Sequence, residues 1–338
     1  MIIPVILCGG AGIRLWPASR EDMPKPFLPL VDGASTFALT LRRIAIPEVF
    51  GPALVVANAE HVALVREQSA ETDVVAAILT EPDGRDTAGA IAAAAAFLAG
   101  VDERAVMLVL PADHLIRDDA GFVDTVLEAL PAAEEGHIVV FGVRPDHPAT
   151  GFGYIDPGEP LFGTAPRAVA AFVEKPDRAR ASALIENGCL WNSGMFMMKA
   201  TVAVEELAAL APEIMSGAAA AVSESIAEDA VVRLGVDHFL AVPRKSFDYA
   251  VMEKTRRAAV VEARFDWSDL GTWSAVWQAS TRDAAGNVAA GDVTLVDTEN
   301  ALVASDAQQV GVLGLRDIVV VAGNGSVLVT SRARAGEV

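Results

Sequence analysis

The sequence predicts a doubly wound α/β protein on a mostly parallel sheet, followed by a small all-β unit. Three observations predict it. Short apolar, β-rich runs recur along most of the chain with helix-like stretches between most of them, the alternation expected of a parallel sheet covered on both faces. One of those stretches, Ala88 to Leu98, is an Ala-rich helical run placed behind Thr87 as its cap. After about Arg282 the texture changes to Val and Leu runs broken by Gly286-Asn287, Gly291-Asp292, Gly311 and Gly323-Asn324-Gly325, with hardly any helical periodicity.

In chain order, Ile2 to Leu7 is the first strand: it lacks a basic leader and meets glycines too soon for a signal segment. Strands follow at Ala53 to Ala57, Val74 to Leu79, Ala105 to Leu110, Ile138 to Val143 and Val169 to Val173. Asp118 or Asp119 stands where the helix running towards Leu130 needs a cap. The run Ala90 to Ala99 is far shorter than the roughly 20 residues that cross a bilayer, so no membrane segment is expected. The domain boundary is placed at 282, giving a core of residues 1–282 and a tail of 283–338. Residues Ser331 to Val338 are expected to fray.

With 338 residues and 52% hydrophobic content the chain can bury a full core. Its formal charge of −19 argues against a nucleic-acid footprint, which needs clustered Lys and Arg, so an anionic ligand must be held locally. The two cysteines, Cys8 and Cys189, form neither a disulfide framework nor a metal knuckle, and a cytoplasmic protein is the expectation.

The first strand runs into Gly9-Gly10-Ala11-Gly12-Ile13-Arg14-Leu15-Trp16-Pro17, with Pro24-Lys25-Pro26 further on. Glycines let backbone N–H groups cradle an anion, and Arg14 and Lys25 supply local positive charge. Spacing rejects two better-known loops. A dinucleotide fingerprint starting at Gly10 needs Gly or Ala where Leu15 stands, and a Walker loop needs Lys then Ser or Thr after its last glycine.

The pattern Gly-Gly-x-Gly-x-Arg-Leu-x-Pro followed by Pro-Lys resembles the signature of sugar nucleotidyltransferases. Further blocks resemble the mannose-1-phosphate guanylyltransferase branch in the same order: Glu81-Pro82-x-Gly84-Arg85-x-Thr87-Ala88, Pro111-Ala112-Asp113-His114, Gly151-Phe152-Gly153-Tyr154-Ile155, Phe172-Val173-Glu174-Lys175-Pro176, Trp191-Asn192-Ser193-Gly194, Phe247-Asp248-Tyr249-Ala250 and Trp267-Ser268-Asp269-Leu270-Gly271-Thr272. The resemblance implies a Rossmann-like nucleotidyltransferase core with a left-handed β-helix-like tail. It implies transfer of GMP from GTP to mannose 1-phosphate, giving GDP-mannose and pyrophosphate. Small-molecule substrates are the expected partners, and the tail is by analogy a surface for a homo-oligomer. Another sugar-1-phosphate nucleotidyltransferase, for example one using glucose 1-phosphate, is the alternative within the class. A catalytically silent nucleotide-sugar sensor is the alternative outside it.

Such a reaction sets a sugar phosphate dianion against the α-phosphorus of a triphosphate, so charge neutralisation and alignment matter more than a base. The five histidines form no obvious dyad with Ser or Cys. A divalent cation, Mg²⁺ or another, suits hard carboxylate oxygens. Taken alone, Asp113 at a strand end reads as a cap for loop amides, and Asp269 as the cap of a helix starting near Leu270. The resemblance implies instead that both hold the metal. It assigns Arg14 and Lys25 to the triphosphate beside Gly9, Gly10 and Gly12, and the segment Glu81, Arg85, Asp86 and Thr87 to the nucleotide. Gly153, Glu174, Lys175 and Asn192 it assigns to the sugar phosphate. Tyr154, Trp191 and Phe196 read as packing residues. The chain departs from the family pattern at Asp86 for Asn, Gly89 for Pro, Ile13 for Thr and Cys8 for Ala. Asp86 either reads the base edge or caps the helix after it.

Overall fold

The computed structural model describes residues 1–9 and 13–338. The chain forms two compact units, one of Met1–Gly9, Leu41–Ala112 and Ile116–Trp267, the other of Gly10–Thr40, Asp113–Leu115 and Ser268–Val338.

The first unit is built on one sheet. Its strands are β1 (Ile2–Leu7), β2 (Ala53–Asn58), β3 (Val75–Glu81), β4 (Val106–Pro111), β5 (Ile138–Val143), β6 (Tyr154–Pro160), β7 (Arg167–Val173), β8 (Leu190–Lys199), β9 (Ile226–Glu228), β10 (Val231–Arg233) and β11 (Ala258–Glu262). They lie in the order β5-β11-β7-β6-β8-β4-β1-β2-β3-β10-β9. β1 pairs parallel with β2 and β4, β3 parallel with β2 and β10, and β5 parallel with β11. The six strands read from the sequence at Ile2, Ala53, Val74, Ala105, Ile138 and Val169 all form, within a residue or two of their expected ends.

Period-two packing explains why these runs are apolar throughout. Val5, Leu7, Leu54, Val56, Met107 and Val109 pack in one cluster with Ala88 to Ala95 of the helix Asp86–Val101. The alternate residues Ile6, Val55, Leu108 and Leu110 are equally buried, so each strand is covered on both faces. The methyl side chains of the Asp86–Val101 helix let it pack closely on the helices Ala200–Leu210 and Pro212–Ser223. The alanine run is thus a core helix, and no helix among the described residues is long and apolar enough to cross a membrane.

The sheet is mixed, more so than the sequence indicates. β6 pairs antiparallel with both β7 and β8, β7 antiparallel with β11, and β8 antiparallel also with β4 and β5. The short connection of residues 161–166 between β6 and β7 leaves no room for a crossover, which forces the antiparallel ladder. Asp118 caps the helix Asp119–Glu134 by accepting from Gly121 N at 2.9 Å.

In the second unit, β12 (Val288–Ala290), β14 (Leu302–Ser305) and β16 (Ile318–Gly323) stack in parallel, as do β13 (Val293–Val296) and β15 (Val310–Leu313). β17 (Ser326–Ser331) closes the stack antiparallel to β16. Successive coils enclose Ala301, Val303, Val312 and Val320. Asn287 ties two of them, donating to Thr298 O at 2.8 Å and accepting from Ala301 N at 3.0 Å. A second apolar cluster joins Leu15, Leu115, Leu270, Trp273 and Trp277 to Leu302 and Val319, fixing the segments that carry the charged residues described next.

Candidate active site

Four of the expected charged residues lie in the second unit. Lys25 starts the short turn Lys25–Phe27 behind Pro24 and is only 4% exposed. A buried ammonium needs partners. Lys25 Nζ donates to Asp113 Oδ2 at 2.7 Å and to the backbone carbonyl of Asp269. The two aspartates, far apart in sequence, are brought together by backbone pairing. Leu115 and Ser268 exchange both hydrogen bonds, N to O at 2.9 and 3.0 Å, two residues beyond Asp113 and one before Asp269.

Burial works to raise the Asp113 carboxyl, but the charges of Lys25 and His114 and the Lys25 hydrogen bond outweigh it and hold it below the ordinary aspartate value. His114 Nε2 is 3.9 Å from Asp113 Oδ1. Asp269 is not a helix cap. The helix starts at Trp273, where Thr272 accepts from Ala275 N at 3.2 Å, and the Asp269 carboxyl instead accepts from Gly271 N at 3.0 Å. Leu270 between them has φ of +43°. A Cβ on Gly271 would lie 2.6 Å from Asp269 Oδ2 and 3.3 Å from Arg14 Nη2, so this glycine makes room for an Asp269–Arg14 approach. Gly10 and Gly12 lie outside the described residues, and Gly9 follows β1 exposed.

The expected nucleotide segment follows β3 in the first unit. Glu81 is 4% exposed, and its Oε1 is buried with no hydrogen-bond partner. Burial, with the charge of Asp83 behind it, pushes this carboxyl up to about 8. Arg85 pairs with Asp83 at 3.7 Å and keeps a buried, unpartnered Nε. Asp86 has φ of +61° and accepts from Thr87 N at 2.7 Å.

Thr87 does not cap its helix, because its hydroxyl accepts from Phe247 N at 2.9 Å. Ala88 N donates to Lys245 O at 3.1 Å. The helix start is thereby stitched to the chain leading into Asp248. Gly89 packs tightly, a Cβ there lying 2.9 Å from Arg85 Cβ.

The expected sugar-phosphate residues converge at the ends of β7 and β8. Glu174 Oε1 meets Lys175 Nζ at 3.0 Å, while Glu174 Oε2 is buried without a partner. A Cβ on Gly153 would lie 2.5 Å from that oxygen, and Gly153 O accepts from Asn192 N at 2.8 Å. Gly153 is therefore what admits the carboxylate. Asn192 donates through Nδ2 to Asp248 Oδ1 at 2.8 Å and accepts from Gly194 N at 3.1 Å.

Burial works against the Lys175 ammonium, but Glu174, with help from Asp248, holds it above the ordinary lysine value. Lys175 has φ of +44°, and it and Leu270 are the two described positive-φ residues that are not Gly, Asp or Asn. Such strain persists where surrounding structure demands it. Tyr154, Trp191 and Phe196 are buried packing residues, although Trp191 Nε1 has no hydrogen-bond partner. Asp248 and Gly271 stand in the family-like blocks, but the sequence alone assigns them no role. Both become visible as site residues only through contacts with residues far along the chain.

A nucleotidyl transferase family model matches residues 3–286, and a "MannoseP isomerase/GMP-like beta-helix domain" model matches 291–338. The chain is 43% identical to the mannose-1-phosphate guanylyltransferase of Escherichia coli, across 100% of this chain and 72% of that protein. It is 41% identical to the alginate biosynthesis protein AlgA of Pseudomonas aeruginosa, across 100% and 70%. The crystal structure described as a mannose-1-phosphate geranyltransferase of Thermus thermophilus superposes with a TM-score of 0.86 at 35% identity, covering 99% of this chain and 96% of that one. With the two family models matching residues 3–286 and 291–338 in turn, the chain belongs to the nucleotidyl transferase family and carries a MannoseP isomerase/GMP-like beta-helix domain.

Proposed function

We propose that the chain transfers GMP from GTP to α-D-mannose 1-phosphate, giving GDP-mannose and pyrophosphate. The observation that carries this reading is the buried Lys25 ammonium, held against the Asp113 carboxylate and the Asp269 carbonyl. This pair ties the Asp113 carboxylate to the segment that carries Asp269, whose own carboxyl lies with Arg14 around Gly271, so cations and carboxylates of the kind a metal-bound triphosphate needs are carried on adjoining segments. The relatives named mannose-1-phosphate guanylyltransferase supply the substrate pair.

Asp113 and Asp269 are the residues that would hold Mg²⁺ or a similar ion. Their hard oxygens fit it, and no cluster of three or more such side chains occurs among the described residues, so phosphates and water would complete the shell. The bound ion supplies charge neutralisation between phosphates. Arg14 and Lys25 orient and neutralise the triphosphate, with the glycines Gly9, Gly10 and Gly12 offering backbone donors.

Glu81, at the end of β3, accepts from the guanine N1–H and N2–H₂ donors, with Arg85, Asp86 and Thr87 shaping that segment. Lys175 neutralises the sugar phosphate, and Glu174, Asn192 and the Gly153 backbone take the sugar hydroxyls. The sugar phosphate is already an anion, so the protein holds and aligns it and removes no proton from it. The domain boundary near 282, the homo-oligomer and the cytoplasmic location belong to the same reading. Steady-state pyrophosphate release with GTP and mannose 1-phosphate, with and without excess EDTA, tests it: turnover abolished by EDTA supports it, and undiminished turnover in EDTA overturns the metal assignment.

A further inference from the structure

The sugar-phosphate cluster holds one more carboxyl than its reading uses. Asp248 begins the single turn Asp248–Met252, wound with the wide i→i+5 spacing that often marks a functional site. Its Oδ1 accepts from Asn192 Nδ2 at 2.8 Å. Glu174 lies against the same residues, the Cβ position of Gly153 being 2.5 Å from Glu174 Oε2 and 3.2 Å from Asn192 Cβ, and Lys175 sits 3.0 Å from Glu174 Oε1; the Glu174 charge raises the Asp248 carboxyl and the Lys175 charge lowers it. Other ionisable groups around this turn are engaged elsewhere. Lys254 donates to Ala250 O at 3.1 Å, and on the packed helix Ala200–Leu210, Glu205 pairs with Arg257 at 2.7 Å and Glu206 accepts from Thr255 at 2.5 Å. Tyr249 also contributes to the field at Lys175.

We infer that Asp248 is a positioning residue of the sugar-phosphate site, which takes up one proton when the sugar phosphate draws the Lys175 ammonium away from the Glu174–Asp248 pair. The inference rests on the assignment of Lys175 to the sugar phosphate. With both carboxyls ionised, the single Lys175 ammonium leaves the free cluster one negative charge in excess. An arriving phosphate adds negative charge and competes for the same ammonium, and the buried Asp248 carboxyl, already disfavoured as an anion by burial and by the charge of Glu174, is the group that then gains a proton. The proton comes from solvent and bonds to the Asp248 carboxylate; no other bond changes.

Asp248 is prepared for this, since burial first and Glu174 second push it up to about 7 against the opposing hydrogen bond from Asn192 and the charge of Lys175. Protonated or not, its Oδ1 can accept from Asn192. That bond fixes which way the amide faces, leaving Asn192 Oδ1 on Gly194 N.

Calorimetric titration of mannose 1-phosphate into the protein saturated with Mg²⁺ and a non-hydrolysable GTP analogue, in two buffers of different ionisation heat at about pH 7.5, reads the proton directly. Uptake of about half to one proton per sugar phosphate is expected, and none with Asp248→Asn. Binding that depends on Lys175 but exchanges no proton overturns the inference and leaves the site assignment standing. Undiminished uptake in Asp248→Asn also overturns it. Binding indifferent to Lys175→Met overturns the assignment itself.

Should Asp248→Asn fail to fold, the wild type decides alone. Its dissociation constant for mannose 1-phosphate is expected to rise by about threefold to tenfold per pH unit above about pH 7.5, and a flat profile contradicts the inference.

Discussion

Lys25, 4% exposed, donates to the Asp113 carboxylate at 2.7 Å and in the same position reaches the carbonyl of Asp269, so one ammonium joins the two segments that carry both acidic site residues. Lys25→Met therefore removes a charge and strips Asp113 of its main counterion. Turnover with GTP is expected to fall by about 10²-fold or more, with a smaller change in the Michaelis constant. The acid limb of the activity profile should move to higher pH, because Lys25 is what overcomes the burial that raises Asp113.

The same pair makes a stability prediction of fixed sign. A carboxyl held below its unfolded value contributes stability above that value, about pH 4, and loses it as pH falls through the lower folded value. The wild-type advantage over Lys25→Met in denaturant melts should be full at neutral pH and shrink as pH falls, first through the raised Asp113 value of the variant and then through the lowered wild-type value below about pH 4. An advantage that grows in acid contradicts the pairing.

Glu81 has the opposite sign. Its carboxyl is pushed up to about 8, so the folded state loses stability as pH rises from the unfolded value through about 8. Glu81→Gln should be increasingly stabilising relative to wild type between about pH 5 and about pH 9, read as the difference in Tm. If Glu81 reads guanine, the same variant should lose roughly 1–3 kcal/mol of preference for GTP over ATP.

Asp86 separates the two readings open in the sequence. Its carboxylate is already occupied by Thr87 N, and its φ of +61° suits Asp or Asn. Asp86→Asn should leave the GTP to ATP ratio of specificity constants unchanged, whereas Asp86→Ala should cost about 1 kcal/mol in chemical denaturation. A large change in the ratio for Asp86→Asn would return Asp86 to the base edge.

Local patterns foretold the parallel strands, the alanine helix and the Gly-punctuated tail, because each is set by residues close in sequence. The rest depends on distant partners. Thr87 looks like a helix cap until Phe247, 160 residues on, takes its hydroxyl. Asp269 looks like another until the Leu115–Ser268 pairing sets it beside Lys25. Gly153 reads as a sugar-phosphate residue and Gly271 carries no role in the sequence, and only the neighbouring carboxylate oxygens, 2.5 and 2.6 Å from where a Cβ would stand, show that the missing Cβ is what matters. β7 is legible as the run Val169 to Val173, but its antiparallel partner β6 is hidden by a run broken at Pro157 and Pro160.

Those two glycines offer a paired test. Gly153→Ala drives a methyl against Glu174 Oε2 and should raise the Michaelis constant for mannose 1-phosphate. Gly271→Ala crowds Asp269 and Arg14 and should lower turnover and raise the Mg²⁺ requirement. Matching kinetic defects in both variants would contradict the division between sugar-phosphate and metal-binding residues.

The most direct measurement is coupled pyrophosphate release with each of the four common nucleoside triphosphates against mannose 1-phosphate and glucose 1-phosphate. GTP with mannose 1-phosphate is expected to give the highest kcat/KM of the eight pairs, with GDP-mannose as the product. A higher kcat/KM for any other pair, or no turnover with any of them, would contradict the assignment.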